Sequence, residues 1–287
     1  MLAIINKELR SFFSSMLGYA IIAFYMVVLG IYFVFINCLN QSGQFEYTLS
    51  SISFMFIVLI PILTMKSMAD ERRNKTDQLL ITSPISVEKV VFGKYLGVLG
   101  VYLIAIVITC GYPLVLSKYG DLNFGLTYYS ILGFALLGAA YIAIGVFISS
   151  LTENAVISAV VTFIVVLVTY LMSSLSSTLS NDNRVCWLVF AGLAIAACVV
   201  IYILVKNILI VGVVAVIAEA VLATLYFVKP EFYDNSLVGF AEKISMISPY
   251  QNYLQGIVNA KDIVYYLSVI AIFLFLTIQS IKKRRWN

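Results

Sequence analysis

Histidine is absent from the 287-residue sequence, and charged residues make up only 11% of it. Without histidine the chain cannot form His-ligated metal sites, use a histidine general base, or activate a serine or cysteine with the usual partner. The phosphate-binding motif Gly-x-x-x-x-Gly-Lys-Ser/Thr does not occur either. We therefore expect a chain that is not an enzyme and that holds no metal or cofactor of its own.

Cysteine is also scarce, and Cys38, Cys110, Cys186 and Cys198 lie in or beside apolar runs without Cys-x-x-Cys spacing. They are expected to act as small apolar fillers. In contrast, 62% of the residues are hydrophobic and the mean hydropathy is +1.02. A soluble domain would need a surface drawn from about a quarter charged residues. The composition indicates an integral membrane protein, and its net charge of +4 gives little support for nucleic-acid binding.

Apolar runs of bilayer-spanning length recur along the whole chain and predict an all-α, polytopic helical bundle. Eight runs qualify: Leu17–Ile36, Ser50–Ala69, Tyr95–Leu116, Tyr128–Ser149, Ala155–Met172, Val185–Val205, Ile208–Val228 and Ile263–Ile281. The sequence thus predicts a single transmembrane domain over residues 1–287, with about eight spans.

The distribution of lysine and arginine predicts the orientation. With the N-terminus in the cytoplasm, most of the 18 basic residues fall on the cytoplasmic side. The exceptions are Lys118, Arg184, Lys229, Lys243 and Lys261. Both termini are therefore predicted to be cytoplasmic.

The N-terminal residues 3–16 precede the first span and carry an amphipathic pattern. Ile5, Leu9, Phe12 and Met16 form one helical stripe, and Lys7, Glu8, Arg10 and Ser14 lie largely off it. The pattern favours a helix lying in the inner membrane interface, and a charged lead-in to the first span is the alternative.

Two later regions depart from a simple series of spans. Residues 185–228 form a pair of apolar runs joined only by Lys206-Asn207, which fits either two full spans or a re-entrant hairpin. Glu219 lies near the middle of the second run, where an ionised carboxylate costs about 2.5–3.5 kcal/mol. It is a candidate for substrate or ion contact or for a hydrogen bond to a partner chain, and a buried protonated carboxyl bonded to a hydroxyl is the alternative. Residues 229–262 are predicted to form short helices at the outer leaflet.

The longest polar passage, residues 70–94, lies between the second and third spans and is assigned to the cytoplasm. We name it the coupling segment. Ser86 is a candidate N-cap for a short helix beginning at Val87, with Glu88 in the first turn. The apolar residues 79–81 among the charges favour burial by a partner protein, and a solvated loop or an anionic-lipid contact is the alternative.

This passage resembles that of the ABC type-2 transporter permeases, in particular the small bacterial branch that includes gliding-motility-type permeases. The family pattern Glu-Arg-Arg-x-Gly-Thr-x-x-x-Leu-x-x-x-Pro falls on Glu71, Arg72, Arg73, Thr76, Leu80 and Pro84. Lys75 stands where the family usually has glycine. The C-terminal third is similar to the family in Ser248-Pro249, residues 256–258, Asp262, Tyr265-Tyr266 and residues 284–286.

The resemblance implies the membrane subunit of an ATP-driven exporter in the bacterial cell membrane. Two separate cytoplasmic ATPase subunits would carry ATP and Mg, and a second permease chain would complete a homo- or heterodimer. The predicted ATPase-coupling residues are Glu71, Arg72, Arg73, Thr76, Leu80, Pro84, Val87 and Glu88. The family core has six spans, so residues 185–228 resemble an inserted pair. Lipids, hydrophobic peptides and drug-like molecules all fit as substrates, and a secondary transporter or channel without an ATPase is the alternative function.

Overall fold

The computed structural model describes residues 1–76, 86–118, 122–176 and 236–285. These residues are helical, with short 3₁₀ and π-helical stretches and no strand within the described ranges. They belong to two units. One comprises Met1–Tyr170 with Ile247–Asn287, and the other comprises Leu171–Met246.

Within the described ranges, six helical segments are long and apolar enough to cross a membrane, and they confirm six of the predicted spans. They are Leu17–Leu39, Phe45–Arg73, Val87–Leu116, Phe124–Leu151, Ala155–Ser174 and Ala260–Lys283. The predicted spans 185–205 and 208–228 lie outside the described residues, so the count of eight stays a prediction.

The chain begins with helix α1, Leu2–Ser14, which is separate from the first span. The first span is α2, Leu17–Phe33, and it continues as a π-helical stretch, Val34–Leu39. Between α1 and α2, Met16 adopts a left-handed conformation with φ of 59°. The two helices therefore change direction at this residue, and the location of α1 at a membrane surface stays a prediction.

The buried face of α1 differs from the stripe predicted by its sequence. Ile4, Glu8 and Phe12 are buried, whereas Met16 lies beyond the helix and is 78% exposed. Glu8 lies off the predicted apolar stripe but is buried within the chain. The apolar pattern alone did not identify the buried face because another helix, Val87–Thr109, supplies the groove into which α1 packs.

The second span consists of short helices joined end to end. Helix α3, Phe45–Ile52, leads through a 3₁₀ turn, Ser53–Met55, into α4, Phe56–Thr64. A turn then leads into α5, Ala69–Arg73, which ends the span. The interruptions satisfy their backbone groups through side chains, as where the Ser149 hydroxyl accepts from the backbone N–H groups of Met68 and Ala69.

The third span starts earlier than predicted. Helix α6 runs over Val87–Thr109, and α7 follows over Gly111–Leu116. The start at Val87 is confirmed, but the expected separate short helix is instead the first turns of the span itself. The Ser86 side chain forms no capping hydrogen bond. The break near Cys110 precedes Pro113, whose ring crowds the carbonyl four residues earlier.

Helix α8, Phe124–Leu151, packs against α3, α4, α5 and α6. Its N-terminus is capped by Asn123, whose side chain accepts from the Leu126 backbone N–H. Two of its glycines allow close packing. A Cβ on Gly138 would clash with the Tyr102 ring, and one on Gly145 would clash with the Thr64 side chain.

The remaining helices of the described ranges are α9, Ala155–Ser176; α10, Ser236–Ile244; α11, Ile247–Leu254; and α12, Ala260–Arg285. Helices α11 and α12 both pack against α8. The short helices α10 and α11 occur where the sequence predicts short outer helices, and residues 229–235 lie outside the described ranges. Their position relative to a membrane leaflet stays a prediction.

Candidate functional site

One end of the Met1–Tyr170/Ile247–Asn287 unit carries most of the unit's lysines and arginines. We name it the basic end. It contains α1, α5, the start of α6, the α8–α9 turn and the end of α12. The ends of the coupling segment, residues 70–76 and 86–94, lie here.

The centre of the basic end is a buried lysine. Lys94 is 1% exposed, and its Nζ lies 3.0 Å from Glu8 Oε1 and 2.9 Å from Glu71 Oε2. The same ammonium also donates to the backbone carbonyl of Ser67. Three acceptors therefore surround a group with three N–H donors, so the charge is buried with its hydrogen-bonding capacity used.

The cluster is electrically balanced because a second lysine joins it. Lys7 Nζ donates to Glu71 Oε1 at 3.0 Å. This hydrogen bond raises the pKa of Lys7 above its ordinary value and outweighs the opposing effect of partial burial. Lys7 and Lys94 thus neutralise Glu8 and Glu71. We name these four residues the ion cluster, and it joins α1, α5 and α6.

Glycines on α6 bring α1 close enough to form this cluster. A Cβ on Gly97 would lie 2.5 Å from Glu8 Cβ, and a Cβ on Gly93 would lie 2.9 Å from the Ile4 side chain. Further along α6, Gly100 faces Leu9. The three glycines form a groove for α1, and the groove sets the position of the Glu8 carboxylate beside Lys94.

A second ion pair ties α5 to the turn between α8 and α9. Arg72 Nε lies 2.9 Å from Glu153 Oε1, and Arg72 Nη1 donates to the Leu151 carbonyl at 2.7 Å. The carbonyl is at the C-terminal end of α8, where a cation is favoured by the helix dipole. Arg72 therefore stabilises the chain's own helix ends.

Helix α5 ends in a Schellman motif. The Thr76 N–H donates to the Glu71 carbonyl at 2.9 Å, and the Lys75 N–H donates to the Arg72 carbonyl at 3.1 Å. Lys75 takes the left-handed position of this motif, with φ of 55°. Glycine is preferred at such a position, so the departure from the family pattern at Lys75 leaves the turn intact but adds backbone strain.

The predicted coupling residues fall into three groups. Glu71, Arg72 and Val87 are half-buried or buried and contact other helices of this chain. Arg73, Thr76 and Glu88 are exposed, and Glu88 pairs with Lys282 of α12 at 2.8 Å. Leu80 and Pro84 lie outside the described residues, as does Glu219. The structure therefore separates residues that hold the basic end together from those left at its surface.

Sequence reasoning missed Glu8 and Lys94 as members of the ion cluster. Lys94 was counted among loop cations, although it follows Val87 and Val91 at the helical spacing of a buried face. Glu8 follows Ile4 by one helical turn in the same way. Lys94 and Glu8 each continue a buried stripe of their helix. This shared position is the sequence signal that could have identified them as a buried ion pair.

The opposite end of the unit buries polar groups in another way. The Thr127 hydroxyl donates to Glu46 Oε1 at 2.6 Å, and Glu46 is 6% exposed. The Thr48 hydroxyl donates to Asn37 Oδ1, also at 2.6 Å. Among the described residues, no three His, Cys, Asp or Glu side chains cluster so as to hold a metal ion.

The family model described as ABC-2 family transporter protein matches residues 37–185. The chain belongs to the ABC-2 transporter family. The match covers just over half of the chain and includes the whole coupling segment, whereas Lys7 and Glu8 of the ion cluster lie before it. No curated protein gives a significant sequence match.

Membership confirms the resemblance drawn from the sequence of the coupling segment. It makes this ABC-2 chain a multi-pass membrane permease, a transport component that associates with an ATPase subunit. The ion cluster fits a transport component that performs no chemistry of its own. Its four charges pair with one another, and they connect α1, α5 and α6.

Proposed function

We propose that this chain is the membrane-spanning subunit of an ATP-driven exporter and that a separate polypeptide hydrolyses the ATP. Membership of the ABC-2 family supports the proposal. The missing P-loop motif supports the assignment of hydrolysis to another chain. The substrate would be a lipid, a hydrophobic peptide or a drug-like molecule, and a second permease chain would complete the transport path.

In this proposal the basic end faces the cytoplasm of a bacterial cell, and both chain termini lie on that side. The positive-inside rule supports this orientation, since α1, α5, the start of α6 and the end of α12 together carry most of the lysines and arginines of the described residues. Helix α1 would then lie near the inner membrane surface, with its exposed residues towards water and headgroups.

The ATPase would contact the surface on either side of residues 77–85. Arg73 and Thr76 are exposed on the α5 side, and Glu88 and Lys89 are exposed on the α6 side. We name these four residues the docking surface. Glu71 and Arg72 are better assigned to holding the helix ends, because their side chains already contact Lys94 and Glu153.

The ion cluster is the observation that carries the mechanism. It joins α5, which carries Arg73 of the docking surface, to α6, which carries Glu88 and Lys89, and it ties α1 to both. Removing one partner of a buried ion pair costs about 3–5 kcal/mol. We propose that a push or pull on the docking surface therefore moves the three elements together and tilts the second and third spans.

The experiment is purification of the tagged full-length chain from membranes of its own host in a mild detergent. The proposal expects a copurifying polypeptide with a Walker motif and vanadate-sensitive ATP hydrolysis. Arg73→Glu reverses an exposed charge on the docking surface and should reduce the copurified ATPase at least about fivefold, the loss expected for a contact of about 1 kcal/mol or more. Lys118→Glu, an exposed lysine at the opposite end, is the matched control.

Two results would contradict the proposal. One is a purified chain that carries no Walker-motif polypeptide yet transports or conducts without ATP. The other is equal loss of ATPase in Arg73→Glu and Lys118→Glu, which would assign the effect to general damage. Thermal unfolding of both variants separates misfolding from lost docking.

A further inference from the structure

A cavity lies beside the ion cluster at the basic end, between α1, the start of α2 and the end of the second span. Its volume is about 210 Å³. Lysine, carboxylate and serine side chains line one part of it, and Phe12, Leu17 and Ile62 line another. Because Leu17 begins one span and Asp70 lies near the end of another, the cavity is at the level where spans meet lipid headgroups.

An open apolar groove continues from this cavity along α2. The groove has a volume of about 520 Å³, and it shares Ser15 and Leu17 with the cavity. Its other lining residues are Met16, Tyr19, Ala20 and Ala23. From Leu17 to Ala23 the helix rises roughly 9 Å, so the groove leads from the span end into the hydrocarbon region.

The charges around the cavity balance, with Lys7, Lys66 and Lys94 opposite Glu8, Asp70 and Glu71. Four of the six belong to the ion cluster and already pair with one another. Among the described residues, the remaining two, Lys66 and Asp70, form no side-chain hydrogen bond or ion pair. The Lys66 ammonium and the Asp70 carboxylate are therefore available to bind a ligand.

A buried hydroxyl gives independent support for a ligand. Ser67 lines the cavity and is 3% exposed, and its Oγ has no hydrogen-bond partner among the described residues. A buried polar atom without a partner costs about 1–3 kcal/mol, so such atoms are normally satisfied by a ligand or water. The Oγ has less than 1 Å² of accessible surface, so the hydroxyl donates to a phosphate oxygen after its side chain rotates towards the cavity.

We propose that the cavity and groove together bind one phosphatidylethanolamine molecule. Lys66 and the Ser67 hydroxyl bind the phosphate, Asp70 accepts from the ammonium group, and an acyl chain follows the groove. The balanced lining favours this zwitterionic headgroup over an anionic one. Phosphatidylcholine has the same charges, but its quaternary ammonium has no N–H to donate to Asp70.

The test is native mass spectrometry of the delipidated full-length chain, titrated with phosphatidylethanolamine, phosphatidylcholine and phosphatidylglycerol of the same acyl chains. Phosphatidylethanolamine should bind about tenfold more tightly than either other lipid, as expected for one charge-assisted hydrogen bond. Soluble glycerophosphoethanolamine, which lacks acyl chains, should bind roughly a hundredfold more weakly. If glycerophosphoethanolamine bound as tightly as phosphatidylethanolamine, the acyl chains would not contribute, and the proposal that a lipid is the ligand would be wrong.

Single substitutions test which side chain contacts which part of the lipid. Asp70→Asn should weaken phosphatidylethanolamine about tenfold and leave phosphatidylcholine unchanged, whereas Lys66→Gln should weaken both about tenfold. Ala20→Phe fills the groove and should weaken both lipids but not the soluble headgroup. Arg10→Gln, an exposed charge on α1 outside the cavity, is the control and should change nothing.

Equal affinities for the three lipids, or a preference that survives Asp70→Asn, would overturn the proposal. Tightest binding of phosphatidylglycerol would also overturn it and indicate an anionic-lipid site. The measurement uses no ATPase and no ATP, so its failure is separate from failure of the proposed transport function.

Discussion

The two ends of the Met1–Tyr170/Ile247–Asn287 unit both bury a glutamate, but they satisfy it with different chemistry. At the basic end, Glu8 and Glu71 lie against the ammonium of Lys94. At the opposite end, Glu46 accepts from the Thr127 hydroxyl. One end is held by full charges and the other by hydrogen bonds between side chains, although Lys94 and Glu46 are both buried.

The difference matters for how each end responds to change. A buried ion cluster leaves an uncompensated charge when one member is removed, so it resists partial opening. A hydroxyl bound to a carboxyl oxygen can exchange partners at a smaller cost, of about 0.5–1.5 kcal/mol for a typical hydrogen bond. We expect the basic end, where the proposed ATPase would apply force, to resist substitution and local opening. The opposite end should tolerate both at a smaller cost in free energy.

The largest expected effect comes from removing the central cation. Lys94→Met leaves Glu8 and Glu71 buried side by side and should lower the free energy of unfolding by about 3–5 kcal/mol. Lys89→Met removes an exposed lysine from the same helix and should cost less than about 0.5 kcal/mol. Denaturant titration in mixed micelles measures both. Similar values for the two variants would show that Lys94 is not held in a buried cluster.

A matched pair of isosteric changes compares the two ends directly. Glu8→Gln removes a charge from the ion cluster and should cost about 2 kcal/mol, as for hydrogen bonds to charged groups. Glu46→Gln keeps an oxygen that accepts from Thr127 and should cost less than about 1 kcal/mol. The same unfolding measurement applies. Equal costs for Glu8→Gln and Glu46→Gln would show that the two ends do not differ in how strongly their glutamates stabilise the fold.

The glycine groove provides the next comparison. Gly97→Ala places a Cβ 2.5 Å from Glu8 Cβ, and overpacking of this kind costs about 1–3 kcal/mol. Gly111→Ala is the control because a Cβ there meets no atom within 4 Å. The melting temperature should fall for the first variant and stay level or rise for the second. No fall for Gly97→Ala would show that α1 is not packed closely on α6.

The smallest expected effect concerns two Schellman motifs, one with lysine and the other with glycine at the left-handed position. Lys75 at the end of α5 and Gly256 at the end of α11 both have positive φ, 55° and 72°. Lys75→Gly should relieve backbone strain and stabilise by about 1 kcal/mol, and Gly256→Lys should destabilise by at least a similar amount. Melting temperatures of the two variants should move in opposite directions, and a shift of Lys75→Gly downwards would contradict the assignment.

Much of the fold follows from residue patterns that are local in sequence. Apolar runs of bilayer length predicted the six described spans, since length and hydropathy alone decide whether a helix can cross. The beginning of α6 at Val87 was also predicted from Ser86 and Pro84. The continuity of α6 was not, because Glu88 and Lys89 suggested a loop helix, although Val90 and Val91 continue the buried face into the span.

The ion cluster depends on contacts between distant parts of the chain. The stripe Ile5, Leu9 and Phe12 is more apolar than the buried face, which includes Glu8, so the apolar pattern of α1 does not reveal which side packs. The choice is made by Gly93 and Gly97 on another helix, which admit Ile4 and Glu8. Motif comparison likewise located Glu71 but assigned it outward, because a local pattern does not show that Lys94 lies beside it.

Site-specific photocrosslinking tests the central claim most directly. A benzophenone side chain is placed at Thr76, which is exposed on the docking surface, or at Tyr47, which is 59% exposed at the opposite end. In host membranes, the account predicts an adduct between the Thr76 variant and a Walker-motif polypeptide, and none from the Tyr47 variant. A Thr76 variant that labels only lipid and water, with the chain present at normal levels, would contradict it.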